Sequence, residues 1–166
     1  MRAVGSTRKP RNPKSCHERA LGLLSVRARS RRELEQRLRQ AGFEADEVTE
    51  ELERLESVGL VDDEAFARQL VQHEFESRKS GRRVVRSALA RKGVSADVAA
   101  SVLDELGGAD EARALELAMT RAARLRALDP PVAFSRLSSL LIRRGHDPAT
   151  ARRVARRALE IEGSED

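Results

Sequence analysis

The side chains best suited to binding chemistry in this sequence are arginines and lysines in a segment without acids. Residues 78–93 hold no Asp or Glu, although the whole chain has 27 acidic residues. Guanidinium and ammonium groups bind phosphate oxygens, and such binding weakens steeply as the salt concentration rises. The segment therefore predicts contact with a polyanion. Its cations, all candidate binding residues, are Arg78, Lys79, Arg82, Arg83, Arg86, Arg91 and Lys92.

A second cationic stretch lies at residues 136–157, which contain seven arginines and only one acid, Asp147. By contrast, residues 44–56 hold seven acids and only one cation. The alternative is that such runs are solvated helix faces without a partner. The complete lack of acids in residues 78–93 argues against that alternative there. The further candidate binding residues are Arg143, Arg144, Arg152, Arg153 and Arg156.

Aromatic side chains are too few to stack on bases. The chain has four Phe and neither Trp nor Tyr. Binding of single strands without sequence preference usually relies on aromatic stacking. Contacts to single- or double-stranded DNA are therefore expected to be made to backbone phosphates.

Groups typical of catalysis are scattered along the chain. The paired acids Asp62 and Asp63 are explained by a helix start, where negative charge is favoured. The only cysteine, Cys16, is expected to be an inert residue at the start of a helix. No phosphate-binding glycine loop or nucleophile motif is present. The sequence predicts no catalytic residue, no metal site, no cofactor and no enzyme activity. The histidines lack metal-ligand spacing: His17, His73 and His146.

Composition favours a helical protein inside the cell. Charged residues make up 36% of the chain, hydrophobic residues 40% and aromatics 2%, with a net charge of +5. A core of Leu, Val and Ala suits helices better than sheets. No apolar run approaches a membrane span, and the N-terminus lacks a signal-peptide pattern. A cytoplasmic protein without membrane contact is expected.

Three segments repeat one pattern, in which apolar residues lie four and eight positions before a glycine. The glycines are 51 and 52 residues apart, and each is expected to end a helix in the left-handed conformation. A period near 50 residues indicates an array of repeated units. We therefore predict an all-α fold of three tandem three-helix repeats in an elongated, curved array. The segments are Leu34-Leu38-Gly42, Val85-Leu89-Gly93 and Leu137-Leu141-Gly145.

The repeats are expected at 16–60, 61–108 and 109–162. A disordered basic tail is expected at 1–15, and a frayed C-terminus at 163–166. The tail holds five cations and no acid, so it either adds attraction to nucleic acid or has no defined role. The predicted helices are 17–28, 31–41, 45–58, 63–78, 81–92, 96–106, 110–128, 131–144 and 148–161.

Residues 59–67 predict a rigid corner between the first and second repeats. Gly59 is suited to close one helix with a left-handed residue, and Leu60 to complete a Schellman motif. Asp62 is suited to cap the next helix, with Asp63 in its first turn. This corner is expected to orient the binding surfaces without itself being one.

This corner and the cationic segment together resemble the RecX family of bacterial recombination regulators. The resemblance rests on GLVDDEAFARQLV at 59–71 and RKSGRRVVRSALARKGV at 78–94. Residues 134–145, FSRLSSLLIRRG, are similar to the C-terminal repeat of that family. The chain departs from the family pattern at His146, where an aromatic is frequent. The matching positions are Gly59, Leu60, Asp62, Asp63, Phe66, Ala67, Arg78, Gly81, Leu89, Lys92 and Gly93.

The resemblance implies a non-enzymatic protein that binds the RecA–DNA filament, and we expect that protein to be a monomer. It implies inhibition of filament growth, ATP hydrolysis, strand exchange and co-protease activity, and thereby a place in homologous recombination, DNA repair and the SOS response. A stand-alone DNA-binding protein of the helix-turn-helix type is the main alternative. That alternative generally needs dimer symmetry and base-reading side chains, and neither is evident. A purely structural repeat leaves the acid-free segment unexplained.

Overall fold

The structure, a computed structural model, describes residues 14–125 and 127–162, with side chains through residue 160. Within these residues the chain forms nine α-helices, one short 3-10 turn at Ala123–Leu125 and no strand. The all-α prediction is confirmed. Residues 1–13 of the predicted tail and residues 163–166 lie outside the described residues. The helices are α1 Cys16–Leu24, α2 Arg31–Gln40, α3 Ala45–Ser57, α4 Asp63–Glu76, α5 Arg82–Arg91, α6 Ala96–Leu106, α7 Asp110–Ala122, α8 Pro130–Arg143 and α9 Pro148–Glu162.

The helices pack in consecutive groups of three, each around its own apolar core. The first bundle contains α1–α3, the second α4–α6 and the third α7–α9. In each bundle the middle helix contributes the apolar stripe that the repeat pattern predicts. All six stripe residues are 0% exposed: Leu34, Leu38, Val85, Leu89, Leu137 and Leu141.

The glycines end their helices as predicted. Gly42, Gly93 and Gly145 have φ angles of 95°, 77° and 92°, a region that favours glycine. At the corner between the first two bundles, Gly59 has a φ of 72°. There the backbone N–H of Leu60 donates to the carbonyl of Leu55 at 2.9 Å, which is the Schellman bond.

The start of α4 is also as predicted. The Asp62 carboxylate accepts hydrogen bonds from the backbone N–H groups of Glu64 and Ala65, both at 2.9 Å. Phe66 and Ala67 in the first turns of α4 are buried in the second core. The neighbouring Val61 instead belongs to the core of the first bundle. The corner is thus anchored in both cores.

Two helices end more than two residues before the predicted position. The first helix ends at Leu24 and not at residue 28, because Arg29 folds back and its Nε donates to the carbonyl of Leu23 at 3.2 Å. This bond satisfies a carbonyl that the next helical turn would otherwise use. The seventh helix ends at Ala122 and tightens into the 3-10 turn, short of the predicted residue 128.

The first and second bundles meet at joint one, where the loop before α2 contacts the end of α5 and the start of α4. The Ser30 hydroxyl donates to the carbonyl oxygen of Lys92. The backbone N–H of Arg31 donates to the Asp63 carboxylate at 2.7 Å. Asp63 therefore holds two bundles together, besides lying in the first turn of α4.

The second and third bundles meet at joint two, where the loop before α5 contacts the end of α8 and the start of α7. The backbone N–H of Gly81 donates to the carbonyl of Arg144 at 2.8 Å. His146 is 1% exposed, and its Nε2 lies 2.9 Å from the carbonyl oxygen of Lys79. Its Nδ1 lies 3.3 Å from the Asp110 carboxylate. The contact with Lys79 thus links the buried histidine of the third bundle to the second bundle.

Both joints require a glycine because the bundles approach closely. A Cβ atom on Gly81 would lie 2.2 Å from the carbonyl carbon of Gly145, and one on Gly93 would lie 2.1 Å from the side chain of Arg32. Gly81 has an ordinary φ of −81°, so contact with the neighbouring bundle, and not backbone conformation, excludes a side chain there. The family-like glycines Gly81 and Gly93 are therefore joint residues.

Replacing Gly81 with Ala is expected to lower the free energy of unfolding by about 1–3 kcal/mol, because the added methyl group overlaps the backbone of the third bundle. Gly22→Ala is the matched control. Gly22 lies in α1 with open space around it, so alanine there should stabilise the protein by roughly 0.5–1 kcal/mol. Urea unfolding followed by circular dichroism measures both. Equal effects of the two substitutions would contradict the close approach at joint two.

Candidate polyanion-binding surface

Joint one has a carboxylate surrounded by cations. Glu33 on α2 pairs with Arg27, Arg29 and, across the joint, with the Lys92 ammonium at 3.2 Å. Burial raises the pKa of Glu33, but hydrogen bonds from Arg27 and Lys92 and their charges outweigh it, and the pKa falls to about 2. The carboxylate therefore stays ionised and holds two bundles together.

A cleft of about 460 Å³ opens beside this cluster, between α2 and the end of α5. Five cations line it against one acid, and two glutamines complete the wall. Only Arg91 and Lys92 were predicted as binding residues. The others come from the first bundle, where Arg27 and Arg32 lie in another acid-free run, residues 19–32, that the sequence analysis did not identify. The lining residues are Arg27, Arg32, Glu33, Gln36, Arg37, Gln40, Arg91 and Lys92.

A second cleft, of about 540 Å³, opens at joint two between the loop before α5 and α7. It brings together three predicted residues, Arg78, Lys79 and Arg144. The guanidinium of Arg144 donates to the carbonyl of Arg78 at 2.9 Å, so part of this cluster also supports the joint. Lys79 pairs with Glu116 at 2.9 Å. Arg121, which the sequence analysis did not identify, lines the cleft as well.

Two further predicted cations, Arg82 and Arg83, also make hydrogen bonds within the fold. Arg82 donates to the carbonyl of Leu103 at 2.8 Å and to the Asp104 carboxylate at 2.6 Å. Arg83 donates to the carbonyl of Ile142 at 2.8 Å, across joint two. These contacts give both side chains a structural role, whether or not they also meet a ligand.

The segment without acids in sequence is thus supplied with acids in space. Glu33, Asp104 and Glu116 approach it from other helices, and Glu74 pairs with Arg78 at 3.0 Å. A segment that lacks acids in the sequence can therefore have acids beside it in the folded protein, because residues distant in sequence pack side by side.

The remaining predicted cations differ in their availability. Within the described part of the chain, Arg86, Arg91, Arg143 and Arg152 are exposed and make no ion pair or side-chain hydrogen bond. On α9, two others have partners. Arg153 pairs with Glu111 at 2.7 Å, and Arg156 lies over the Phe134 ring at 5.8 Å. The twelve predicted residues are therefore not equally available for binding, and their binding role stays a prediction.

The groups that could have supported catalysis have structural surroundings instead. The Cys16 thiol is buried, and burial with the nearby charges of Glu47 and Glu51 raises its pKa to about 11. The thiolate, which is the reactive form, is therefore disfavoured. His17 pairs with Glu51 at 2.7 Å. Among the described residues, no group of three or more His, Cys, Asp or Glu is arranged to hold a metal ion.

Asp110 is the acid that faces the buried His146. Burial raises the pKa of Asp110, but the hydrogen bond from His146 and the charges of His146 and Arg113 outweigh it. The pKa of Asp110 consequently lies below its ordinary value. No helix in the described ranges is long and apolar enough to cross a membrane.

Comparison with known proteins places these features in a family context. The RecX profile for the first three-helix domain matches residues 16–55, and that for the second three-helix domain matches residues 62–103. The matches confirm a tandem arrangement of three-helix domains. Both profiles end before α7, so the third bundle as a further copy of the repeat stays a prediction, as does the curved shape.

Relatives and a solved structure extend the similarity over most of the chain. A regulatory protein RecX of Streptomyces coelicolor is 40% identical over 164 residues, covering 94% of this chain and 84% of the relative. One from Mycobacterium sp. (strain KMS) is 37% identical over 147 residues, covering 86% and 80%. The crystal structure of RecX from Lactobacillus salivarius has a TM-score of 0.78 at 21% identity, covering 88% of this chain and 95% of that chain. That likeness supports the fold alone.

Replacing Glu33 with Gln is expected to lower the free energy of unfolding at pH 7 by about 2 kcal/mol, because cations on both sides of joint one lose their partner. The wild-type carboxylate contributes stability above its ordinary pKa of 4.5 and loses it as the pH falls through about 2. The variant should therefore lose less stability on acidification. Urea unfolding between pH 7 and pH 3 measures this difference. Glu35→Gln on the same helix is the control, and a similar loss there would exclude a specific role for Glu33.

Arg82→Gln is expected to destabilise the protein by about 1 kcal/mol, because the bonds to Leu103 and Asp104 are lost. Arg86→Gln, four residues along the same helix, should change stability by less than about 0.5 kcal/mol. Thermal unfolding of the two variants separates structural cations from free ones. Equal stability of both variants would show that Arg82 is as free as Arg86.

Proposed function

We propose that this protein, which belongs to the RecX family, is a negative modulator of RecA that acts by binding the RecA–DNA filament. Curated members of the family are named regulatory proteins, which agrees with a binding role and not an enzymatic one. On the filament the protein would limit growth, and with it ATP hydrolysis, strand exchange and co-protease activity. It would act as a monomer in the cytoplasm, within homologous recombination, DNA repair and the SOS response.

The observation that best supports this proposal is the position of the cationic clefts. Each cleft lies where two bundles meet, so its cations come from both sides of a joint. The joint glycines hold the bundles in close contact and thereby keep these cations at a constant spacing. Repeated clefts on a modular chain suit a partner that is itself repetitive and negatively charged. A filament of protein and DNA phosphates has both properties.

Not every predicted cation is expected to contribute equally to binding. Arg86 and Arg91 are exposed on α5 and have no partner among the described residues, so their charge is available to the filament. Arg82 and Arg83 are held within the fold and are poor choices for testing binding. The available cations can contact DNA phosphates or acidic side chains of RecA, and salt weakens both contacts.

The test is RecA-dependent ATP hydrolysis on single-stranded DNA, with the cognate RecA and substoichiometric amounts of this protein. The proposal expects a lower steady-state rate of hydrolysis. An unchanged rate with the cognate RecA would overturn it. An unchanged rate together with binding to bare DNA would favour the stand-alone DNA-binding alternative.

Residue contributions are tested with the double substitution Arg86→Gln and Arg91→Gln. Inhibition of ATP hydrolysis is expected to require several-fold more of this variant, because two free cations facing the filament are lost. The matched control is Arg19→Gln with Arg39→Gln, which removes the same charge from exposed positions of the first bundle. Circular dichroism and thermal unfolding confirm that both variants are folded. Equal weakening in the two variants would assign the effect to net charge and not to this surface.

A further inference from the structure

A third cavity, of about 430 Å³, lies within the third bundle between the end of α7 and one face of α8. We call it the α7–α8 cavity. Four arginines, two serines and two leucines line it, and no acid does. Only Arg143 among them is one of the predicted binding residues. The lining residues are Arg121, Arg124, Leu125, Ser135, Arg136, Ser139, Leu140 and Arg143.

Helix geometry gathers these side chains. Five of the lining residues come from α8, at positions 135, 136, 139, 140 and 143. Residues three and four positions apart lie on the same face of a helix, so these five share one face of α8. The last turn of α7 and the 3-10 turn after it supply the opposite wall. Leu125 and Leu140 pack against the core of the third bundle and form the apolar floor. Arg124, Arg136 and Arg143 are exposed at the rim.

The arginines of this cavity have no acidic partner among the described residues, unlike Arg78 and Arg82 at the joints. Within the described residues, none of the four makes an ion pair or a side-chain hydrogen bond. One acid, Glu116, lines the adjoining joint-two cleft, and its carboxylate already pairs with Lys79. Among the described residues, the Nε of Arg121 is buried without a hydrogen-bond partner.

Such an arrangement is unfavourable without a ligand. A buried donor without a partner destabilises a fold, and like charges around one cavity repel each other. An anion with several oxygens would relieve both effects at once. Phosphate oxygens accept paired hydrogen bonds from guanidinium groups, and the hydroxyls of Ser135 and Ser139 can donate to the same group.

We propose that the α7–α8 cavity binds phosphate groups, and that their source is the backbone of a nucleic-acid strand. Arg121 lines both this cavity and the joint-two cleft, so the cations of the two sites adjoin. A run of cations across two bundles suits consecutive phosphates along a strand, whereas a small free anion would need only one of the sites. The inference adds a site to the proposed function, and its test needs no RecA.

The experiment measures binding of a fluorescently labelled oligothymidylate to the full chain over a series of salt concentrations. The variant is Arg124→Gln with Arg136→Gln, because both side chains are exposed and their loss leaves the core intact. The slope of log affinity against log salt is expected to become less steep by about 1.4, since each lost contact to a single strand removes about 0.7. Affinity at low salt should fall as well.

The control is again Arg19→Gln with Arg39→Gln, which should keep most of the wild-type slope. An unchanged slope in the cavity variant, or one changed no more than in the control, would overturn the proposal. Thermal unfolding in inorganic tripolyphosphate separates the two sources of phosphate. Tripolyphosphate could raise the melting temperature of the wild type but not of the cavity variant, while both proteins bind the oligothymidylate with equal affinity. That result would assign the cavity to a free anion and overturn the proposal of a nucleic-acid strand. The binding experiment contains no RecA, so a negative result there does not contradict the proposed binding to the RecA–DNA filament. Conversely, a lack of RecA inhibition does not contradict the proposed phosphate site.

Discussion

The rest of the structure depends on the close approach of two backbones at joint two. Gly81 donates to the carbonyl of Arg144, and a Cβ on Gly81 would overlap the carbonyl carbon of Gly145. Gly145, which ends α8 in the third bundle, thus also makes the close backbone contact with Gly81 of the second bundle. Joint one uses equivalent positions one period earlier. Because interiors are close-packed, such contacts hold neighbouring bundles at one distance and do not deform gradually.

This constraint also explains the positions of the cationic clefts. Where two bundles meet this closely, the long side chains around the contact lie at its edge. Some of them then pair with acids of the neighbouring bundle, as Lys92 does with Glu33 and Lys79 with Glu116. Others remain unpaired and line a cleft. The joints consequently combine a structural role with an excess of positive charge.

Local signals predicted the helices well and the charge contacts poorly. The helix stops at Gly42, Gly59 and Gly93 follow from a conformation that glycine favours, so neighbouring residues suffice to locate them. The end of α1 was missed because Arg29, five residues beyond it, returns to bond its last turn. Arg121 and Arg124 were missed although residues 117–128 hold three arginines and no acid, because so short a cationic run does not by itself indicate a site. Only the packing of α7 against α8 brings them beside Arg136.

The sequence by itself determined the helical class, the positions of the glycine stops, the period of the repeat and the likeness to RecX proteins. Each of these rests on propensity or spacing over a few residues. The tertiary structure alone decided which cations are free. The charge on Arg82 is matched by Asp104, while that on Arg136 is unmatched in the described chain. The reason is physical. Electrostatic partners are chosen by distance in space, and packing of the bundles sets that distance independently of separation along the chain.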